Sequence, residues 1–254
     1  MATVTILGQG RMGKLHEETW KSLGYEISLN GEIVSIATPD WHHGEAVLTA
    51  LYAGKHVFCE KPLCTTADQL SKIQQAKGTS RIAVNLPLRY HPPFQRLREA
   101  KTGLLYLIEA EYNWGRLSNM KDWRLDPRYS IIHGGGVHMM DMLNWLTGQR
   151  PVWHSAIGNN KVLPEFRNPM HVQAVGYVPV NGPLLRLGVD FSYDGSHSHV
   201  IRLHGRDGAF EVKNFVEVDK TVCIRKFHEG WDNFDDAVSA TIGCLAVESR
   251  CTLR

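Results

Sequence analysis

Residues 1–24 read as one strand, one tight turn and one helix, and that opening restricts what the rest of the chain can become. Thr3–Leu7 is a short run rich in β-branched residues. It stops at Gly8, the first glycine of Gly8-Gln9-Gly10-Arg11-Met12-Gly13, and Met12, Leu15, Thr19 and Leu23 then recur at helical spacing up to Gly24. A strand that turns tightly into a helix is the start of an α/β arrangement with a parallel sheet. The glycines let a backbone approach a pyrophosphate, and the helix N-terminus offers unpaired N–H groups and a partial positive charge. Glycines also close ordinary strand-to-helix turns, so this stretch alone leaves both readings open.

The segments that follow continue the pattern. A dinucleotide-binding unit expects a second strand ending in an acid about 20 residues after the glycines. Only residues 24–31 separate the first helix from the next buried strand, however, which is room for one short strand at 25–29 and no strand-helix-strand set. Glu26 and Glu32 are the nearest acids, and neither ends a convincing strand. Residues 34–37 then read as a buried parallel strand. Thr38-Pro39-Asp40 opens a helix with Val47, Ala50 and Leu51 on one face before Gly54. Residues 54–59 form the next strand and deliver Glu60-Lys61-Pro62 to its C-terminal end, where open parallel sheets bind ligands. A lysine there is a compact, mobile donor able to take part in proton movement, Glu60 can orient it, and Pro62 fixes the chain direction. The plainer reading of the same residues is a surface ion pair at a strand end. Thr66 with Gln69 forms a capping box for a helix carrying Leu70 and Ile73, and residues 81–86 are the last strand of this half.

After His91-Pro92-Pro93 the period changes. A helix near 94–100 leads into Tyr106, Ile108, Ala110, Tyr112 and Trp114, which alternate, as do Leu185, Leu187, Val189, Phe191 and Tyr193. Arg206-Asp207-Gly208 reads as a hairpin turn between two strands. Between these runs, Gly134-Gly135-Gly136 precedes His138 at the start of a helix that ends at Gly148, with His138 and Asp141 sharing a face. A tail helix spans 232–254.

The glycine turn, Thr38-Pro39, Glu60-Lys61-Pro62, and Gly136, His138, Asp141 with the tail Leu143-Asn144-Trp145-Leu146-Thr147-Gly148 together resemble the glucose-fructose oxidoreductase/inositol dehydrogenase/MocA family of nicotinamide-dependent sugar oxidoreductases. The likeness runs almost end to end, with the second strand and its helix looking deleted. It implies reversible hydride transfer between NAD or NADP and a carbinol or carbonyl carbon of a sugar, sugar derivative or cyclitol. On that resemblance Lys61 is donor and proton partner, and His138 is the acid/base. Gly8, Gln9, Gly10, Arg11, Met12, Thr38, Pro39, Glu60 and Lys61 hold the cofactor, and His42 or His43 fills the place of a histidine that lies along it, with His42 preferred. Lys61, Arg124, His138 and Asp141 face the substrate. Gly134 stands where the family commonly has an aspartate. The missing strand and acid predict weak cofactor binding. They also keep open an alternative, a non-catalytic or regulatory ligand-binding protein of the same descent.

The expected fold is therefore α/β plus α+β: a reduced Rossmann-type parallel sheet over 1–90, then a domain with an open, mostly antiparallel sheet over 91–254, paired through that sheet into a homodimer or homotetramer. Composition sets the outer limits. Twenty-eight basic against 26 acidic residues leave a formal charge of +2, with no long basic run to suit nucleic acid or an anionic membrane. No signal-peptide pattern and no apolar run of about 18 residues is present, which predicts a cytoplasmic protein. Five cysteines without a CxxC pair predict reduced thiols. Neither His197 with His199 nor His133, His138 and Asp141 has familiar metal-ligand spacing, so no metal is expected.

Overall fold

A computed structural model of the chain describes residues 2–254, which divide into two compact units. The first unit comprises Met1–Pro87 and Asp219–Thr241, the second Leu88–Val218 and Ile242–Arg254. The chain therefore leaves the first unit slightly earlier than the prolines suggest. Residues 219–241, expected in the second domain, return to the first.

In the first unit β1 (Thr3–Leu7), α1 (Arg11–Ser22), β2 (Glu26–Ile27), β3 (Ile33–Ile36), α2 (Asp40–Tyr52), β4 (His56–Cys59), α3 (Ala67–Ala76) and β5 (Ile82–Val84) follow in order. The strands form a wholly parallel sheet ordered β2-β1-β3-β4-β5. The second strand is thus present, as a two-residue stub paired to β1 at the sheet edge. What the chain lacks is a helix and a further strand beyond it, because β3 begins only six residues after the stub ends. The order reverses at β1, which places the turns after β1 and β3 side by side.

The helical stripe of α1 differs in register from the expectation. The buried residues are Gly13, His16, Thr19 and Trp20, while Met12 and Leu15 are half-buried. Burying a histidine is permissible there because both ring nitrogens find partners in the sheet. Thr66 caps α3 by accepting from the Gln69 N–H at 3.2 Å, as the capping box requires. The edge of β5 is closed by the Asn233 side chain, whose Oδ1 accepts from Val84 N at 2.7 Å and whose Nδ2 donates to Val84 O at 3.0 Å. A side-chain amide thus does the work of a neighbouring strand and blunts an edge.

The second unit starts with α4 (Pro92–Gln95), which runs into a 3-10 turn at Arg96–Arg98. It contains β6 (Leu105–Asn113), α5 (Val137–Thr147), β7 (Val152–Asn159), β8 (His171–Tyr177), β9 (Leu184–Asp190), β10 (Ser198–Gly205) and β11 (Gly208–Asn214). Then α6 (Val222–His228) and the first turns of α7 (Phe234–Arg250) belong to the first unit, and the end of α7 with β12 (Cys251–Leu253) to the second. The expected tail helix therefore stops at Arg250, and the last residues pair with β7 in parallel. The sheet order is β11-β10-β6-β9-β8-β7-β12; only β6–β9 and β7–β12 are parallel. Arg206 and Asp207 make the two-residue hairpin between β10 and β11.

Alternation assigns the two faces of this sheet. Ile108, Ala110 and Tyr112 on β6 and Leu185, Leu187 and Val189 on β9 are buried. The opposite face carries Glu109, Glu111, Arg186, Arg202, Glu211 and His204 as a network, with Arg186 Nη2 2.7 Å from Glu109 and Arg202 Nη1 2.9 Å from Glu111. Beside it Val175, Tyr177 and Leu184 are exposed. No helix among the described residues is long and apolar enough to cross a membrane.

Candidate active site

In the first unit the chemistry-bearing residues gather at the C-terminal ends of β1, β3 and β4. Gly8 has φ +106°, and a Cβ there would lie 2.4 Å from the Ala37 carbonyl oxygen; a Cβ on Gly13 would lie 1.8 Å from Gly8 O. Those two glycines are demanded by the turn itself. Gly10, which precedes α1, is different: a Cβ there would meet nothing within 4 Å. Gln9, Gly10 and Arg11 are exposed, and Met12 is half-buried.

The turn after β3 lies against this one. Thr38 keeps its Oγ1 buried with no hydrogen-bond partner, and so does Asp40 with its Oδ2. Pro39 precedes the first turn of α2. Of the two adjacent histidines, His43 is turned inward, its Nδ1 2.7 Å from Pro62 O and its Nε2 2.8 Å from Thr38 O. His42, about 100° further round the helix, is exposed. The residue joining the Thr38 and Pro62 segments is therefore His43, and His42 is the one left on the surface.

Glu60, the residue after β4, lies inside the protein, not at its surface. Its Oε1 accepts from Asn85 Nδ2 at 2.7 Å and lies 3.1 Å from His16 Nε2. His16 Nδ1 is 3.0 Å from Ser35 Oγ, to which Trp20 Nε1 donates at 2.9 Å. Burial by itself pushes the Glu60 carboxyl up, but hydrogen bonds from His16 and Asn85 and the charges of His16 and Lys61 overcome it and hold the group at about 2. Lys61 follows, half-buried, with a cis bond to Pro62. The neighbouring thiols are unreactive by the same physics: burial raises Cys59 well above its ordinary range and Cys64 to about 12.

In the second unit His138 is not at a helix start. A π-helical turn, Ile132–Gly136, feeds directly into α5, so His138 lies inside a continuous helical stretch. Its ring stacks on Tyr112 at 6.0 Å and meets His199 edge-on at 6.3 Å. The three glycines explain how the helix comes so close to the sheet. A Cβ on Gly134 would fall 2.3 Å from the Tyr129 hydroxyl, and one on Gly135 would fall 2.6 Å from the Tyr112 ring. Tyr129 thus occupies the space that a side chain at position 134 would need. Asp141, expected to face substrate, is buried and ion-paired with Arg89, Oδ2 accepting from Nε at 3.2 Å. A buried guanidinium needs such a carboxylate. Arg124 is half-buried over the rings of Trp123 at 4.3 Å and Trp114 at 5.7 Å.

His199 was legible only as one of a strand pair. Burial first, then the charges of His197, His91 and Arg116, depress it to about 3, so it stays neutral beside His138. Among the described residues no group of three or more His, Cys, Asp or Glu side chains could hold a metal ion. No sequence motif marks His16, Ser35 or Asn85. The available signal was a histidine one turn after Gly13 on the stripe that includes Trp20.

Two family models match the chain: an oxidoreductase family with an NAD-binding Rossmann fold over residues 15–84, and the GFO/IDH/MocA C-terminal domain over 95–211. An inositol 2-dehydrogenase of Paracoccus denitrificans is 34% identical over 125 residues, which is 46% of this chain and 36% of that protein. The chain thus spans well under half the length of such curated relatives. Among solved structures, myo-inositol 2-dehydrogenase from Lactobacillus plantarum superposes with a TM-score of 0.83 at 16% identity, covering 98% of this chain and 96% of that one. Scyllo-inositol dehydrogenase from Lactobacillus casei with bound NAD(H) and scyllo-inositol gives 0.77 at 18% identity, covering 99% and 97%. Such structural likeness at low identity concerns the fold.

Proposed function

Because the chain belongs to the glucose-fructose oxidoreductase/inositol dehydrogenase/MocA family, we propose that it is an NAD(P)-dependent oxidoreductase acting on a carbinol or carbonyl carbon of a sugar, sugar derivative or cyclitol. The observation that carries this reading is Gly10. It leaves open space at the head of α1 between two glycines whose own space is filled by protein, which suits a pyrophosphate. The orphaned Thr38 Oγ1 nearby fits a polar cofactor in the same way. The adenosine end fits less well. The stub β2 is followed by Ser28, Leu29 and Asn30, with no carboxylate for a ribose, and Leu29 is 100% exposed.

NAD or NADP, when bound, supplies the two-electron acceptor or donor. The chain's own residues handle the proton. Lys61 Nζ donates a hydrogen bond to the substrate oxygen, stabilising the charge that develops there, and an imidazole nitrogen of His138 takes the hydroxyl proton on oxidation and returns it on reduction. Tyr112 and His199 keep the His138 ring in place by packing, in a part of the unit where the neighbouring histidine stays uncharged. Asp141 supports the helix that bears His138 through Arg89. Self-association through the exposed face of the second unit's sheet is part of the same proposal, since Val175, Tyr177 and Leu184 lie beside a charged network there.

The test is turnover. Lys61→Met and His138→Asn should each lower it by about a hundredfold or more, the scale of a lost acid/base, without loss of fold. A purified protein that binds sugars yet changes nicotinamide absorbance with no member of a broad carbinol and carbonyl panel would replace this reading with that of a binding protein.

A further inference from the structure

Glu60 is anchored by a chain of groups that the proposed reaction does not use. Trp20, His16 and Ser35 are each fully buried, and they come from two different elements, α1 and β3. Their order has a direction. The Trp20 N–H donates to Ser35 Oγ, which leaves the Ser35 hydroxyl proton available for His16 Nδ1; the proton of a neutral His16 then sits on Nε2, facing Glu60 Oε1. Aromatic packing holds the ring: His16 meets Phe58 edge-on at 5.3 Å, and Trp20 meets Phe58 at 6.3 Å and Phe227 at 6.1 Å. Glu60 Oε1 also accepts from Asn85 Nδ2, which donates to Lys220 O at 3.0 Å as well.

We propose that His16 is a positioning residue: oriented by Ser35 and Trp20, it fastens the Glu60 carboxylate, and Glu60 fixes the segment that presents Lys61. A carboxylate buried this deeply needs several donors to remain ionised. Asn85 supplies one neutral donor to Oε1, and His16 supplies a second to the same oxygen. The titratable neighbours of Glu60 are His16 from α1 and Lys61 from its own segment; Asp40 at the head of α2 acts on Cys59, the residue before Glu60. Removing His16 leaves the burial in place and takes away the main compensation, so Glu60 moves toward its protonated form and loosens its hold on the strand end. The role of Lys61 rests on the function proposed above. The fastening of Glu60 does not.

The experiment compares wild type, His16→Leu, His16→Gln and Ser35→Ala by two readouts. Carboxyl-13C glutamate labelling follows the titration of Glu60, assigned by its loss in Glu60→Gln, and steady-state kinetics gives kcat, cofactor KM and the pH profile. In His16→Leu the Glu60 midpoint should rise by more than about one pH unit toward pH 5 to 7, the range to which burial lifts an under-bonded carboxylate. Turnover should fall about tenfold to a hundredfold with cofactor KM changed less than about threefold, and a new acid limb should appear in the profile. His16→Gln, which keeps an amide donor, should recover most of both, and Ser35→Ala should fall between. A Glu60 midpoint in His16→Leu equal to wild type overturns the proposal, as does a shifted midpoint with unchanged kcat. If His16→Leu does not fold, the Gln and Ala variants decide on the same readouts. A wild type that turns over nothing removes the proposed reaction, and the Glu60 titration still tests the role of His16.

Discussion

Gly10 and Gly13 belong to one motif, yet the structure predicts opposite consequences for replacing them. At Gly10 the backbone has φ −72° and ψ −172°, an extended conformation that any residue adopts, and a Cβ meets nothing within 4 Å. Serine is also a good residue at the position before a helix, so Gly10→Ser should leave stability unchanged within about 0.5 kcal/mol or raise it slightly. The same side chain occupies the space a pyrophosphate would enter. Loss of one or two charge-assisted bonds from the turn costs about 1.5 to 3 kcal/mol, which is about 10- to 150-fold in affinity. At Gly13 a Cβ lies 1.8 Å from Gly8 O, backbone against backbone, so the turn has to open. Overpacking of that kind costs about 2 to 3 kcal/mol and should lower Tm by about 5 to 10 °C in Gly13→Ala. Thermal unfolding and calorimetric titration with NAD and NADP separate the two effects. A Gly10→Ser protein that binds cofactor as wild type does, or that unfolds like Gly13→Ala, would refute the assignment of Gly10 to the ligand.

Cofactor affinity should be weak, with a dissociation constant above about 1 μM for want of a ribose carboxylate, and Leu29→Asp should tighten NAD binding about tenfold by calorimetry. Equal affinity in that variant would mean the ribose lies elsewhere. His199 titrates at about 3 in the folded protein against 6.5 when exposed, so between those values the unfolded chain binds a proton that the folded chain does not. Stability therefore falls as pH drops from 6.5 through about 3 and is unaffected by this group above 6.5. His199→Gln should flatten that slope in urea unfolding at pH values from about 4 to 7. Light scattering at micromolar concentration should show a dimer or tetramer, and Leu184→Lys should shift it toward a 28.6 kDa monomer; a wild-type monomer would exclude the sheet face as an interface.

Local pattern carried much of the fold. The glycine turn, the capping box at Thr66, the apolar run before Glu60 and the alternation in β6 and β9 each state a backbone geometry within a few residues, and each formed where its pattern lies. Resemblance carried the family, because its motifs sit at strand ends, where residue type is tied to chemistry. Long-range packing decided the rest. No local rule distinguishes His42 from His43, or an Asp141 that meets substrate from one that pairs with Arg89, since both depend on which face a helix turns to a segment far away in sequence. Gly134 reads as a missing aspartate until Tyr129 is seen in its space. His16 is marked by no local pattern, and Ser35 and Glu60, 19 and 44 residues on, supply partners for both its nitrogens. A buried polar side chain is stable only where partners from other elements converge on it, and that convergence exists only in the folded chain.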